Sequence, residues 1–205
     1  MPQMDLYPDT GSKSKVIASS GSFQIELLEK VGVKDYPILI DISQSFTEEY
    51  GPKAVLTVNT IQTYFNRKGS MPFIARRQGD IIGYIIGVPL ESLSQKPWAR
   101  MDENFGRNNT LYTYAFVIQA QHQGSGYAKM MKRVYLNWAK KREDIQYITG
   151  HVKVGISARF TGEIRIVDRV DNWQGTGKTF EYYRRDLDPD RTYASRTDPP
   201  LSDRA

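Results

Sequence analysis

Residues 111–141 read LYTYAFVIQAQHQGSGYAKMMKRVYLNWAKK, and they hold an abrupt change of period. Up to Gln119 the run is short, apolar and β-branched or aromatic, which predicts a strand over Leu111–Gln119. From Tyr127 the apolar residues Tyr127, Met131, Val134, Tyr135 and Trp138 recur at helical spacing, with Lys129, Lys132, Arg133, Lys140 and Lys141 off that face. Between them lies Gln121-His-Gln-Gly124-Ser-Gly126-Tyr-Ala128. Glycines let a backbone turn its N–H groups outward, and a helix start adds unsatisfied N–H groups and a positive dipole end. Two readings follow: a cradle for a pyrophosphate or other anion, and a plain turn that reverses the chain.

Outward from this junction the alternation continues. Phe23, Ile25 and Leu27 alternate as a strand, Leu39, Ile42, Phe46 and Tyr50 recur as a helix, and Thr57 caps a second helix bearing Val58, Ile61, Tyr64 and Phe65. Phe73 and Ala75 open a strand that turns at Gln78-Gly-Asp80 into Ile81–Val88. Residues 91–110 read as an irregular loop. Ile145–Val154 is the strand after the long helix, and a strand, helix, strand succession favours a right-handed crossover with parallel strands. Ile164–Val170 and Thr179–Arg184 flank a turn-rich stretch and predict an antiparallel hairpin. The sum is an α+β domain, a mixed central sheet of about six to seven strands flanked by helices. Residues 23–186 form this single domain, residues 1–22 a flexible leader and residues 187–205 a mobile tail.

Composition narrows the chemistry. The 205 residues are 40% apolar and 25% charged, with a formal net charge of +5, no cysteine and two histidines. A cysteine nucleophile, disulfides and thiolate metal sites are excluded, and no metal site is expected. No apolar stretch nears the roughly 20 residues of a membrane span, and no signal peptide opens the chain, so no membrane partner and a cytoplasmic location are expected. Nucleic-acid binding rests only on positive charge and aromatic content and is the weakest reading.

The order Gln123-x-x-Gly126-x-Ala128, after a strand and opening an amphipathic helix, resembles the Q/R-x-x-G-x-G/A signature of the GNAT N-acetyltransferase superfamily. The succession of elements over residues 23–186 is similar to that family as well. The resemblance implies an acetyl coenzyme A dependent N-acetyltransferase that moves an acetyl group to a primary amine by direct attack in a ternary complex. The amides of Gly124, Ser125, Gly126, Tyr127 and Ala128 would then take the pyrophosphate, with Gln123 opening the signature. Val117 and Gln119 would lie beside the pantetheine arm, and the N–H of Ile118 would face the thioester carbonyl, on a strand that carries a bulge. A backbone donor held there stabilises the charge that develops on that oxygen. The strand Ile145–Val154 would splay away to admit the pantetheine.

Many relatives place an Asn after the fifth strand and a Tyr seven residues later, and this chain has Gly155 and Gly162 there. Candidates for the proton donor are Ser157, a water, Tyr182 and Tyr183. Tyr114 is a candidate to face the cleft. Glu48, Glu49 and Asp41 could attract a cationic acceptor, although such acids are usually solvated. His122 and His151 read as structural. Gly175-Thr-Gly-Lys-Thr179 resembles a P-loop end, but a strand follows it, so it reads as a hairpin turn. A non-catalytic coenzyme A or acyl-binding module of the same fold is the alternative function, supported by the missing Asn and Tyr. The acceptor, a small molecule or a peptide amine, is open. An oligomer is a further option, with Trp173, Tyr182 and Tyr183 as exposed aromatics for a contact.

Overall fold

The computed structural model describes residues 11–190. Eight strands form one sheet in the order β1-β2-β3-β4-β5-β6-β8-β7. They are β1 Lys13–Ser20, β2 Phe23–Lys30, β3 Met71–Arg77, β4 Asp80–Pro89, β5 Thr110–Ile118, β6 Tyr147–Lys153, β7 Ile164–Val170 and β8 Phe180–Asp186. All neighbours are antiparallel except β5 and β6, which the crossover helix makes parallel.

The sheet exceeds the expected six to seven strands because Lys13–Ser20, assigned to the leader, forms its first edge. Its sequence, KSKVIASS, lacks an alternation of large apolar residues, and its side chains are mostly exposed. Backbone pairing with β2 and a bond from the Ser14 hydroxyl to the buried Glu26 (2.7 Å) hold it instead. The domain also runs past 186, since Leu187 is buried and its N–H donates to the Gln146 carbonyl. The remaining leader and tail assignments, residues 1–10 and 191–205, lie outside the described residues.

The helices are α1 Tyr36–Ser43, α2 Thr47–Tyr50, α3 Val58–Tyr64, α4 Pro97–Arg100 and α5 Tyr127–Lys140. The single helix expected from Leu39 to Tyr50 breaks at Gln44–Phe46 into a 3-10 turn. There the hydroxyls of Ser43 and Ser45 donate to the carbonyls of Ile40 (2.6 Å) and Ile42 (2.9 Å), competing with the regular ladder. Thr57 does cap α3, in a reciprocal box with Thr60. Phe65, after α3, packs edge-on against Tyr84, while the Tyr135 hydroxyl of α5 lies against Gly87. Positions 84 and 87 point to opposite faces of β4, so α1 and α3 cover one face and α5 the other.

The segment expected to be irregular, 91–110, carries α4 and covers β5, β6 and β8 on the α1 side. Trp98 meets Tyr112 (4.8 Å), His151 (4.8 Å) and Tyr182 (5.6 Å). Beyond it, Asp102 accepts from the Arg184 guanidinium (2.7 Å), the Tyr182 hydroxyl (2.7 Å) and the Asn104 amide (2.8 Å). Burial raises the Asp102 carboxyl, but these donors outweigh it and hold it below its ordinary value. Asp102→Ala leaves a buried cation short of its partner and should cost about 3 to 5 kcal/mol in urea unfolding. A loss below about 1 kcal/mol contradicts this role.

His151 is sandwiched between Trp173 (3.9 Å) and Tyr182 (4.7 Å), its Nδ1 3.0 Å from the Tyr112 hydroxyl. The aromatics expected to be exposed, Trp173, Tyr182 and Tyr183, are therefore core residues at 7%, 3% and 5% exposure. They offer no contact surface. Burial pushes His151 down to about 3. An unfolded histidine titrates near 6.5. Between those values the unfolded chain binds a proton that the folded chain refuses, so stability falls as pH drops from about 6.5. The steepest slope from this one group is about 1.4 kcal/mol per pH unit. His151→Gln should flatten that limb when urea midpoints are compared at pH 7, 6 and 5; an unchanged slope contradicts a buried neutral imidazole.

Candidate active site

β5 departs from regularity where the site begins. Its register against β4 runs Ile86 to Ala115 and then Gly87 to Thr113, so Tyr114 is an extra residue, a bulge. On its other side β5 pairs with β6 only at Thr110, Leu111 and Tyr112, after which the strands part. The Gln119 N–H donates to the Ile82 carbonyl (2.9 Å). Ladder alternation therefore turns the amide of Val117 toward β4 and those of Phe116 and Ile118 toward the opening.

The strand runs into the glycine turn. Gly124 and Gly126 have φ of +81° and +79°, and Gly126 is the N-cap of α5. Glycine is needed for this left-handed geometry, and a Cβ on either residue would meet nothing within 4 Å. Open space thus lies against the amides at the helix start. The Gln123 side-chain Nε2 donates to the Ile118 carbonyl (3.1 Å), tying the turn to the strand end. Tyr127 stacks on Phe23 at 4.2 Å, which anchors the first turn of α5 to the sheet.

A cavity of about 580 Å³ joins these parts. Phe116, Val117, Ile118, His122, Gln123, Gly124, Gly126, Tyr127, Ala128 and Lys129 form one wall, and Ser45, Phe46, Glu49 and Tyr50 the other. Most residues expected to bind a cofactor come together here. Gln119 and Ser125 are not in the lining, and the Gln119 amide is committed to β4. Phe116 was missed because its orientation depends on the bulge. Of the acids weighed for an acceptor, Glu49 lines the cavity, while Asp41 and Glu48 do not.

The expected catalytic residues fare unequally. Ile118 lies at the opening. Tyr114 sits on the bulge, but its ring packs on Tyr64 (4.5 Å) and is not in the cavity lining. Burial, with Tyr64 adding to it, pushes its hydroxyl up to about 12. Ser157 is buried and its hydroxyl donates to Glu181, so it does not reach the cleft. It lies in a 3-10 turn, Ser157–Arg159. Tyr182 is committed to Asp102. Tyr183 lies against Gly150 of β6, near Thr113 beside the bulge, and like Ser157 is not in the cavity lining. His122 lines the cavity with a buried Nδ1 that has no partner among the described residues. Gly175–Thr179 forms the β7–β8 turn as expected, and Lys178 donates to the Glu48 carbonyl (2.6 Å), tying that turn to α2.

The sequence matches the model of the acetyltransferase (GNAT) family over residues 37–158, more than half the chain. The chain belongs to the acetyltransferase (GNAT) family. Solved structures share its fold at low identity. A ribosomal-protein-alanine N-acetyltransferase from Brucella melitensis matches with a TM-score of 0.56 and 15% identity, covering 75% of this chain and 94% of that one. The ribosomal-protein-S18-alanine N-acetyltransferase from Escherichia coli gives 0.55 and 10%, covering 80% and 94%. A GNAT family acetyltransferase from Elizabethkingia anophelis with acetyl-CoA bound gives 0.51 and 12%, covering 82% and 99%. No curated protein matches the sequence. Among the described residues no group of acidic or histidine side chains could hold a metal ion, and no helix is long and apolar enough to cross a membrane.

Proposed function

We propose that this GNAT chain binds acetyl coenzyme A in the cleft and transfers the acetyl group to a primary amine by direct attack. The observation that carries this reading is the parting of β5 and β6 at the Tyr114 bulge, which leads into the glycine turn. Acetyl coenzyme A supplies an activated thioester. The amides from Gly124 to Ala128 hold its pyrophosphate, helped by the α5 dipole and Lys129. Val117 flanks the pantetheine, and Gln119, its amide committed to β4, holds the strand end in place. The Ile118 amide, with that of Phe116 facing the same way, stabilises the oxyanion. Among the described residues Glu49 is the one acidic side chain lining the cavity, and it gives an amine a negative wall opposite the positive helix end.

Tyr183 is the proton donor in this reading, in place of Ser157. Burial raises its pKa, so its hydroxyl stays protonated at neutral pH. The amine nitrogen bonds to the acyl carbon and gives up its proton to solvent, the carbon–sulfur bond breaks, and Tyr183 protonates the departing thiolate and then regains a proton from solvent. The alternative, a non-catalytic coenzyme A binding module, draws on Gly155 and Gly162 standing at the family's usual Asn and Tyr positions. Release of free thiol from acetyl coenzyme A across a panel of small amines and N-terminal peptides separates the two. Amine-dependent release supports transfer, and tight binding with no release supports the module.

A further inference from the structure

On the α5 face of the sheet two cations share one aromatic ring. Lys132, one turn beyond Ala128, places its Nζ 3.3 Å from the centroid of Phe160. The guanidinium carbon of Arg185 lies 5.8 Å from the same centroid, and Arg185 is only 7% exposed. Its Nη1 donates to the Thr161 carbonyl. No ion pair among the described residues includes either cation, although Arg184 next in sequence has two acids. Buried charges are ordinarily paired, because desolvation without a counter-charge costs several kcal/mol. Here burial, with Arg185 adding repulsion, pushes Lys132 down to about 8. Burial also lowers Arg185. Phe160 is held in turn by Tyr183, edge-on at 5.1 Å. Three separate segments, α5, the turn after β6 and β8, thus converge to hold two positive groups together.

We propose that Lys132 and Arg185, gathered around Phe160, form a second anion site that takes a phosphate monoester. Two cations match the charge of about −1.5 to −2 of a monoester, whereas a carboxylate leaves one cation uncompensated. Arg185 offers a planar fork suited to phosphate, and Lys132 a point charge. The site follows the cradle along α5, which suits the ribose phosphate of coenzyme A. For that source the inference rests on the coenzyme reading above. A free phosphate or another monoester shares the chemistry.

The test titrates coenzyme A and dephospho-coenzyme A into the wild-type chain, Lys132→Met and Gly126→Asp at fixed pH and ionic strength. In parallel, inorganic phosphate is titrated while the Phe160 ring and Lys132 methylene resonances are followed. We expect the wild type to prefer coenzyme A over the dephospho form by about tenfold or more, and Lys132→Met to bind both alike. Inorganic phosphate should move the resonances in the wild type and in Gly126→Asp, which leaves this site intact. A phosphate response without a coenzyme preference keeps the site and assigns it another monoester. Failure of coenzyme A to bind at all overturns the coenzyme reading, and the phosphate response then decides the anion site alone. No preference together with no phosphate response overturns the proposal.

Discussion

Gly126→Asp weakens coenzyme A binding by more than about 100-fold in the proposed arrangement, a loss of about 2.7 kcal/mol. The side chain is not excluded by protein, since a Cβ at 126 meets no atom within 4 Å. It enters the space in front of the α5 amides, where the pyrophosphate is proposed to lie, and brings a negative charge to a site built for an anion. The backbone pays separately, because a residue other than glycine at φ +79° costs roughly 1 to 2 kcal/mol. Gly126→Ala carries that backbone strain without the charge. Calorimetric titration of both variants, with thermal melts alongside, separates the effects: both melt earlier by a similar amount, and aspartate alone shows the large loss of affinity. Equal affinity of Gly126→Asp and wild type would remove the cradle from the account.

Tyr183→Phe lowers kcat by about 100-fold while leaving the affinity for acetyl coenzyme A unchanged. The ring remains and still fills the space against Gly150 and Phe160, so the fold loses only a hydroxyl. The measurement is steady-state thiol release with the best amine of the panel. If Tyr183 is the donor, the thiolate must wait for water, and leaving-group analogues with more acidic thiols should recover much of the rate. A kcat within about twofold of wild type assigns the proton to water and makes Tyr183 a packing residue.

Much of this architecture is written in local sequence. Strands β2 to β8 and helices α3 and α5 follow from apolar period, and Gly124 and Gly126 mark the turn by chemistry that only glycine supplies. What escaped is non-local. β1 is made by backbone pairing and by Ser14 and Arg76 meeting on Glu26, so its Lys- and Ser-rich sequence reads as a tail. The Asp102 and Arg184 pair joins positions 82 apart, and neither residue advertises a partner. Ser157 looked available on its turn because Glu181, which accepts its hydroxyl, comes from another strand. The Tyr114 bulge and the parting of β5 from β6 depend on register, which no single strand encodes, and with them the orientation of Phe116 and Ile118. Tyr183 is legible as one of several donor candidates, and only its packing against Gly150 near Thr113 distinguishes it from Ser157 and Tyr182.

The central claim is that the amides at the start of α5 hold the pyrophosphate of acetyl coenzyme A. It is tested most directly by calorimetric titration of the wild-type chain with acetyl coenzyme A and with acetylpantetheine, which carries the same thioester arm without the pyrophosphate. The account predicts saturable one-to-one binding of acetyl coenzyme A and binding of acetylpantetheine weaker by about 100-fold or more. Equal affinity for the two, or no binding of acetyl coenzyme A, contradicts it.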